Sequence, residues 1–116
     1  MIICLTSETK KINSLLSTRF EQSKYFLFID TQNRQIETIA NNVKNDGAAY
    51  LVAEKKPDII ITGNITGNSF GFLKASGIKI VSGVFGITAQ EALERYQTGM
   101  IKESGNLPGA AKGRIL

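Results

Sequence analysis

Apolar residues fall along the chain in short runs separated by polar turns, a pattern that alternates strands with helices. Met1 to Leu5 is apolar at every position, as a strand covered on both faces must be. Tyr25 to Ile29 repeats that signal. The turn residues Asp30-Thr31-Gln32-Asn33 fold Arg34 to Ala40 back as an antiparallel partner, polar enough for an edge. A helix is expected over Gly47 to Lys56, with Asp46 as its cap, Ala48, Leu51 and Val52 on one face, and Pro57 as its end. The run Pro57-Asp58-Ile59-Ile60-Ile61 carries a fourth strand. A second helix is expected from Ile65 to Ala75, burying Phe70 and Leu73, and Gly77 separates it from a fifth strand at Ile78 to Val81. Lys79 marks that strand as the other edge. Thr88-Ala89-Gln90-Glu91 reads as a capping box for a third helix, with Ala89, Ala92, Leu93 and Tyr96 on one face and Gly99 as its stop.

Three strands followed by helix, strand, helix, strand, helix imply an α/β domain with a mixed five-stranded sheet covered on both faces. Right-handed crossovers set the first, fourth and fifth strands parallel with the first central. Residues 1–99 are expected as one domain and residues 100–116 as a mostly irregular tail. The 13-residue segment SETKKINSLLSTR between the first two strands is long for so small a domain, which marks it as functional or mobile. In such a sheet ligands collect at the carboxyl ends of the strands where the strand order reverses, so Thr6-Ser7 and Thr62-Gly63-Asn64 are expected to meet at a site.

Thr62-Gly63-Asn64-Ile65-Thr66-Gly67-Asn68 joins a buried strand to a helix through small residues, which leaves backbone N–H groups at the helix start that suit an anion. The alternative is that the glycines only permit a tight joint. Asn64 and Asn68 either orient polar ligand atoms or cap the helix. Gly83 and Gly86 offer a second close backbone approach or only a turn. The spacing fits neither the phosphate-loop lysine pattern nor the dinucleotide glycine pattern.

Composition narrows the chemistry. The net charge of +4, from 14 basic and 10 acidic residues, weakly favours anionic ligands. Nucleic acid is not expected, because no dense basic stripe with interleaved aromatics is present. No apolar run approaches the roughly 20 residues of a membrane span, and no signal-peptide pattern opens the chain, so a cytoplasmic protein without a membrane partner is expected. The single cysteine, Cys4, excludes an internal disulfide; it reads as packing, with a soft metal ligand as the weaker alternative. With no histidine, neither a closed zinc site nor a serine or cysteine triad has its usual members, and the first strand offers no carboxylates for a metal-dependent nuclease. No catalytic residue is expected.

The stretch GAAYLVAEKKPDIIITGNITGNSFGFLKASGIKIVSGVFGITAQEALERYQTG resembles the dinitrogenase iron-molybdenum cofactor biosynthesis family, and Ser17 to Phe26 extends the match upstream. The resemblance implies a ribonuclease H-like three-layer fold and a non-catalytic carrier, chaperone or storage protein for an anionic metal-sulfur cluster. That cluster, iron-molybdenum or another molybdenum-sulfur species, would be bound non-covalently, with no intrinsic cofactor and with cofactor donor or acceptor proteins as partners. The family commonly has histidine where Arg19 stands, glycine at Glu21 and arginine at Gln22. Arg19, beside Phe20, therefore takes the family's ligand position, where its fork could pair with an anionic cluster; Lys10 and Lys11 read as solvated charges. The alternative function is a protein-interaction or regulatory module of the same fold that binds no cluster.

Overall fold

In the computed structural model, which describes residues 1–104, five strands form one sheet in the order β3-β2-β1-β4-β5. They are β1 (Ile2–Ser7), β2 (Tyr25–Asp30), β3 (Ile36–Ala40), β4 (Ile59–Ile61) and β5 (Lys79–Val81). β1 pairs antiparallel with β2 and parallel with β4, β2 pairs antiparallel with β3, and β4 pairs parallel with β5. The mixed sheet and the central place of β1 agree with the crossover rule.

Alternation along each strand divides the core into two layers. Cys4, Phe26, Phe28, Ile60 and Ile80 face α1 (Gly47–Glu54) and α2 (Gly67–Ala75), which contribute Ala48, Ala49, Val52, Phe70 and Leu73. Ile3, Leu5, Leu27, Ile29, Ile59, Ile61 and Val81 face α3 (Ala89–Gln97), which contributes Ala89 and Ala92. The sheet is thus a middle layer between two helices and one. At the edge, β3 is exposed at Ile36, Glu37, Thr38 and Ala40, as its polar pattern requires.

Helix boundaries shift where a cap differs from the sequence expectation. α1 does start at Gly47, but Asp46 has helical backbone angles (φ −65°, ψ −25°) and its side chain caps nothing. A cap needs an extended residue whose carboxylate turns back on the helix, so this expectation is corrected. α2 begins at Gly67 rather than Ile65, because Thr66 is extended and its hydroxyl accepts the Ser69 N–H at 3.2 Å. Ile65 is buried in the core instead. Thr88 caps α3 by accepting the Glu91 N–H at 3.0 Å, while the Glu91 carboxylate pairs with Arg95 at 2.7 Å, so only half of the capping box forms.

Beyond α3, the first residues of the expected tail lie against the sheet. Ile101 packs on the α3-side core, the Ser104 N–H donates to Ile80 O at 2.6 Å, and Glu103 pairs with Lys74 at 2.9 Å. They form no helix or strand, and the rest of that tail lies outside the described residues.

Candidate functional site

The carboxyl ends of β1, β4 and β5 lie side by side, and the connection between β1 and β2 folds across them. That connection is pinned rather than loose. Leu16 N–H donates to Ile87 O at 2.9 Å, Ser17 N–H to Thr6 O at 3.3 Å, and the Ser17 hydroxyl to Glu8 Oε2 at 2.6 Å. Ala89 and Gln90 N–H, in the first turn of α3, donate to Ser14 O at 2.9 Å and Ile12 O at 2.8 Å. The connection therefore caps α3 with its own carbonyls.

Thr6 and Thr62 do meet, as the topology predicts, with their hydroxyls 3.1 Å apart, but both are fully buried. Ser7 is buried too, its N–H donating to the Ser23 hydroxyl at 3.1 Å. Phe20 is a core residue that packs on Phe26 with ring centroids 5.3 Å apart. These four form the floor of the rim and present no side chain at its surface.

Several of the amides expected to be open are already used within the chain. Thr62 N–H donates to Val81 O (2.9 Å), Gly63 N–H to Ser17 O (3.1 Å), Asn64 N–H to Thr18 O (2.7 Å) and Phe20 N–H to Asn64 O (2.8 Å). Gly83 N–H donates to Gly63 O at 2.9 Å and Val84 N–H to Thr62 O at 3.1 Å. From Thr62 to Asn64, then, no amide is left for a ligand, and the backbone that approaches Gly63 closely is the chain's own. A Cβ on Gly63 would lie 2.5 Å from Thr18 O, so glycine is required by this contact and no ligand need be invoked.

What remains at the surface of the rim is Arg19, Asn64, Thr18 and Gly83. The backbones of Arg19 and Asn64 are held together by an isolated parallel bridge, which places Arg19, an exposed residue, beside the β4–α2 turn. Gly83 needs its left-handed φ of 80° to make the turn after β5. Leu15 (58% exposed), bridged to Thr88, and Phe85 (49% exposed) stand on the segments that border this rim. Their apolar exposure is the feature the sequence reading missed; each looks like an ordinary core residue in a linear pattern.

Asn68 opens elsewhere, on a groove of about 310 Å³ between α1 and α2 lined by Asp46, Tyr50, Ser69 and Phe72. Lys10 and Lys11 line another groove, with Lys24 and Tyr25, and Lys10 Nζ sits 6.0 Å from the Tyr25 ring centroid. Cys4 is sealed in the core, and burial pushes its thiol well above the ordinary range, which disfavours the thiolate a metal would need. Its burial agrees with the packing reading and speaks against the weaker one of a soft metal ligand. No group of three or more His, Cys, Asp or Glu side chains suited to a metal ion occurs among the described residues.

The α2 N-terminus is met by Glu21, which the sequence reading noted only as a departure from the family's glycine. Glu21, in a 3-10 turn (Phe20–Gln22), is 7% exposed, and its Oε2 accepts both the Thr66 N–H and the Thr66 hydroxyl at 3.0 Å. A carboxylate in that position stabilises the first turn of a helix by about 1 kcal/mol. The Glu21 side chain thus reaches the residue that caps α2.

The sequence model described as dinitrogenase iron-molybdenum cofactor matches residues 1–99. The chain belongs to that family. No functionally curated protein matches it by sequence. Among solved structures, the apo form of the orange protein from Desulfovibrio gigas is similar at 22% identity and a TM-score of 0.84, over 90% of this chain and 93% of that one. A Thermotoga protein provisionally described as NifB is similar at 26% identity and a TM-score of 0.79, over 93% and 98%. A Methanocaldococcus jannaschii protein provisionally described as a dinitrogenase reaches 20% identity and 0.71, over 91% and 96%. The family's fold thus extends over nearly the whole chain, and the rim of this member carries arginine and no histidine. No helix among the described residues is long and apolar enough to cross a membrane.

Proposed function

We propose that this family member binds an anionic metal-sulfur cofactor, of the iron-molybdenum or another molybdenum-sulfur type, without catalysing a reaction. Family membership supports the class of cargo, and the likeness to a protein described in an apo form supports reversible loading. The ribonuclease H-like assignment of the fold and a cytoplasmic location belong to the same reading.

The observation that carries it is Arg19, an exposed residue whose backbone is bridged to Asn64 at the carboxyl ends of the sheet. A planar fork pairs with a polyanion through two donors at once. The neighbouring Leu15 and Phe85 suit the soft, weakly hydrated sulfur face of a cluster. Buried Thr6, Ser7, Phe20 and Thr62 hold the strands and connection in register beneath the cargo and do not touch it. Cofactor donor or acceptor proteins would reach the cargo over the open rim.

Anaerobic titration with tetrathiomolybdate, followed by absorbance and metal content after gel filtration, tests the reading. Wild type should retain the probe at micromolar protein, and Arg19→Glu should retain at least tenfold less. Equal retention by the two proteins would remove Arg19 from the site.

One observation favours a second reading, a protein-interaction module that binds no cluster. The amides at the rim are used internally while Leu15 and Phe85 are exposed. Absence of any retained probe in wild type would favour it.

A further inference from the structure

We propose that the Glu21 carboxylate is the resident anion of the α2 N-terminus: it fills the place an external anion would take and confines anionic cargo to the Arg19 side of the rim. The second half rests on the function proposed above; the first half does not.

Three features single out Glu21. It is buried, yet no lysine or arginine among the described residues pairs with it. Both of its donors come from Thr66, the residue that caps α2, and the Thr66 hydroxyl in turn accepts the Ser69 N–H. The carboxylate is therefore wired to the first turn of the helix through one residue. In that same turn, Ser69 Oγ is the one buried side-chain polar atom without a partner among the described residues. The head of α2 offers more donors than the chain consumes.

A neutral acceptor would satisfy Thr66 at a lower desolvation cost than a carboxylate without a cation, so the charge itself has a consequence. Its position gives that consequence a direction. Glu21 lies two residues after Arg19, and Thr66 two residues after Asn64, the pair bridged at the rim. A negative charge placed there repels a second anion from α2 and leaves the guanidinium as the attractive group. Glu21 also locks the connection in place, since its backbone carbonyl accepts from Asn45 N–H at 3.2 Å and Asn41 Nδ2 at 3.2 Å.

Two variants test this. Glu21→Ala empties the position, and inorganic sulfate in the tens of millimolar range should raise its thermal midpoint by roughly 3–5 °C over chloride at matched ionic strength. Wild type should show no sulfate-specific shift. Glu21→Gln keeps the shape and an acceptor for Thr66 while removing the charge; it should ignore sulfate and bind tetrathiomolybdate about fivefold tighter than wild type. A sulfate shift of equal size in wild type and Glu21→Ala, or none in either, overturns the resident-anion assignment. Should Glu21→Ala not fold, the Glu21→Gln titration decides, and an unchanged affinity overturns the proposal. Sulfate rescue of Glu21→Ala with no thiomolybdate retained by wild type would sink the cofactor function and leave the resident anion standing. Retention by wild type with neither variant responding would do the reverse.

Discussion

Gly63 shows how one residue's identity can be required for a reason that has nothing to do with a ligand. Its missing side chain lets Ser17 and Thr18 pass over the end of β4, with Thr18 O only 2.5 Å from where a Cβ would be. Gly63→Ala should therefore lower stability by about 2–4 kcal/mol, read as a lower urea midpoint with an unchanged slope. Cys4 makes a different residue-level prediction. Burial raises its folded pKa well above the ordinary thiol range. The unfolded thiol therefore ionises first, and the folded state loses relative stability as pH rises past about 9. Wild type should lose about 1.4 kcal/mol per pH unit more than Cys4→Ala between pH 9.5 and 10.5. Parallel stability curves for the two proteins would show that the thiol titrates equally in both states.

At the scale of elements, three helices begin in three ways. Thr88 caps α3 through its hydroxyl, and Thr88→Ala should cost about 1 kcal/mol in chemical unfolding. Asp46 makes no cap bond, so Asp46→Ala should fall within about 0.5 kcal/mol of wild type. Thr66→Ala should cost the most, about 2 kcal/mol, because it removes the cap and one of the two bonds to the buried Glu21 carboxylate. The connection between β1 and β2 behaves as a fourth element although it has no regular structure. Its carbonyls close the first turn of α3, and its backbone runs beside β4 and Gly63.

Across the whole molecule, order should follow sheet position. β1 and β4 are buried on both faces, whereas four of the five residues of β3 are exposed. Native-state hydrogen exchange should find the slowest amides in β1 and β4 and faster exchange in β3. An anionic cargo held mainly by charge should also leave with salt, so retention of tetrathiomolybdate should weaken between about 50 and 500 mM ionic strength. Charge sits unevenly. Lys55 and Lys74 are in ion pairs, while Lys10, Lys11 and Lys24 are exposed at the carboxyl end of β1 with no carboxylate within 4.0 Å among the described residues.

The order of strands and helices was legible in the sequence because both periodicities are local. A five-residue run of Met1 to Leu5 can only be satisfied by cover on two faces, and Thr88 with its apolar spacing can only begin a helix. Once the crossovers are right-handed, the central place of β1 follows, as does the meeting of Thr6 with Thr62. Which backbone amides stay open is decided by a different kind of contact. The bonds from Gly63 to Ser17 and from Thr66 to Glu21 span 46 and 45 residues, and no pattern within either segment announces them. The sequence by itself determined the layers and the meeting of Thr6 with Thr62 at the carboxyl ends of the strands. Tertiary folding decided that the chain would cover that place with its own connection and its own carboxylate, because hydrogen bonds to distant partners depend on register and approach, which local periodicity does not encode.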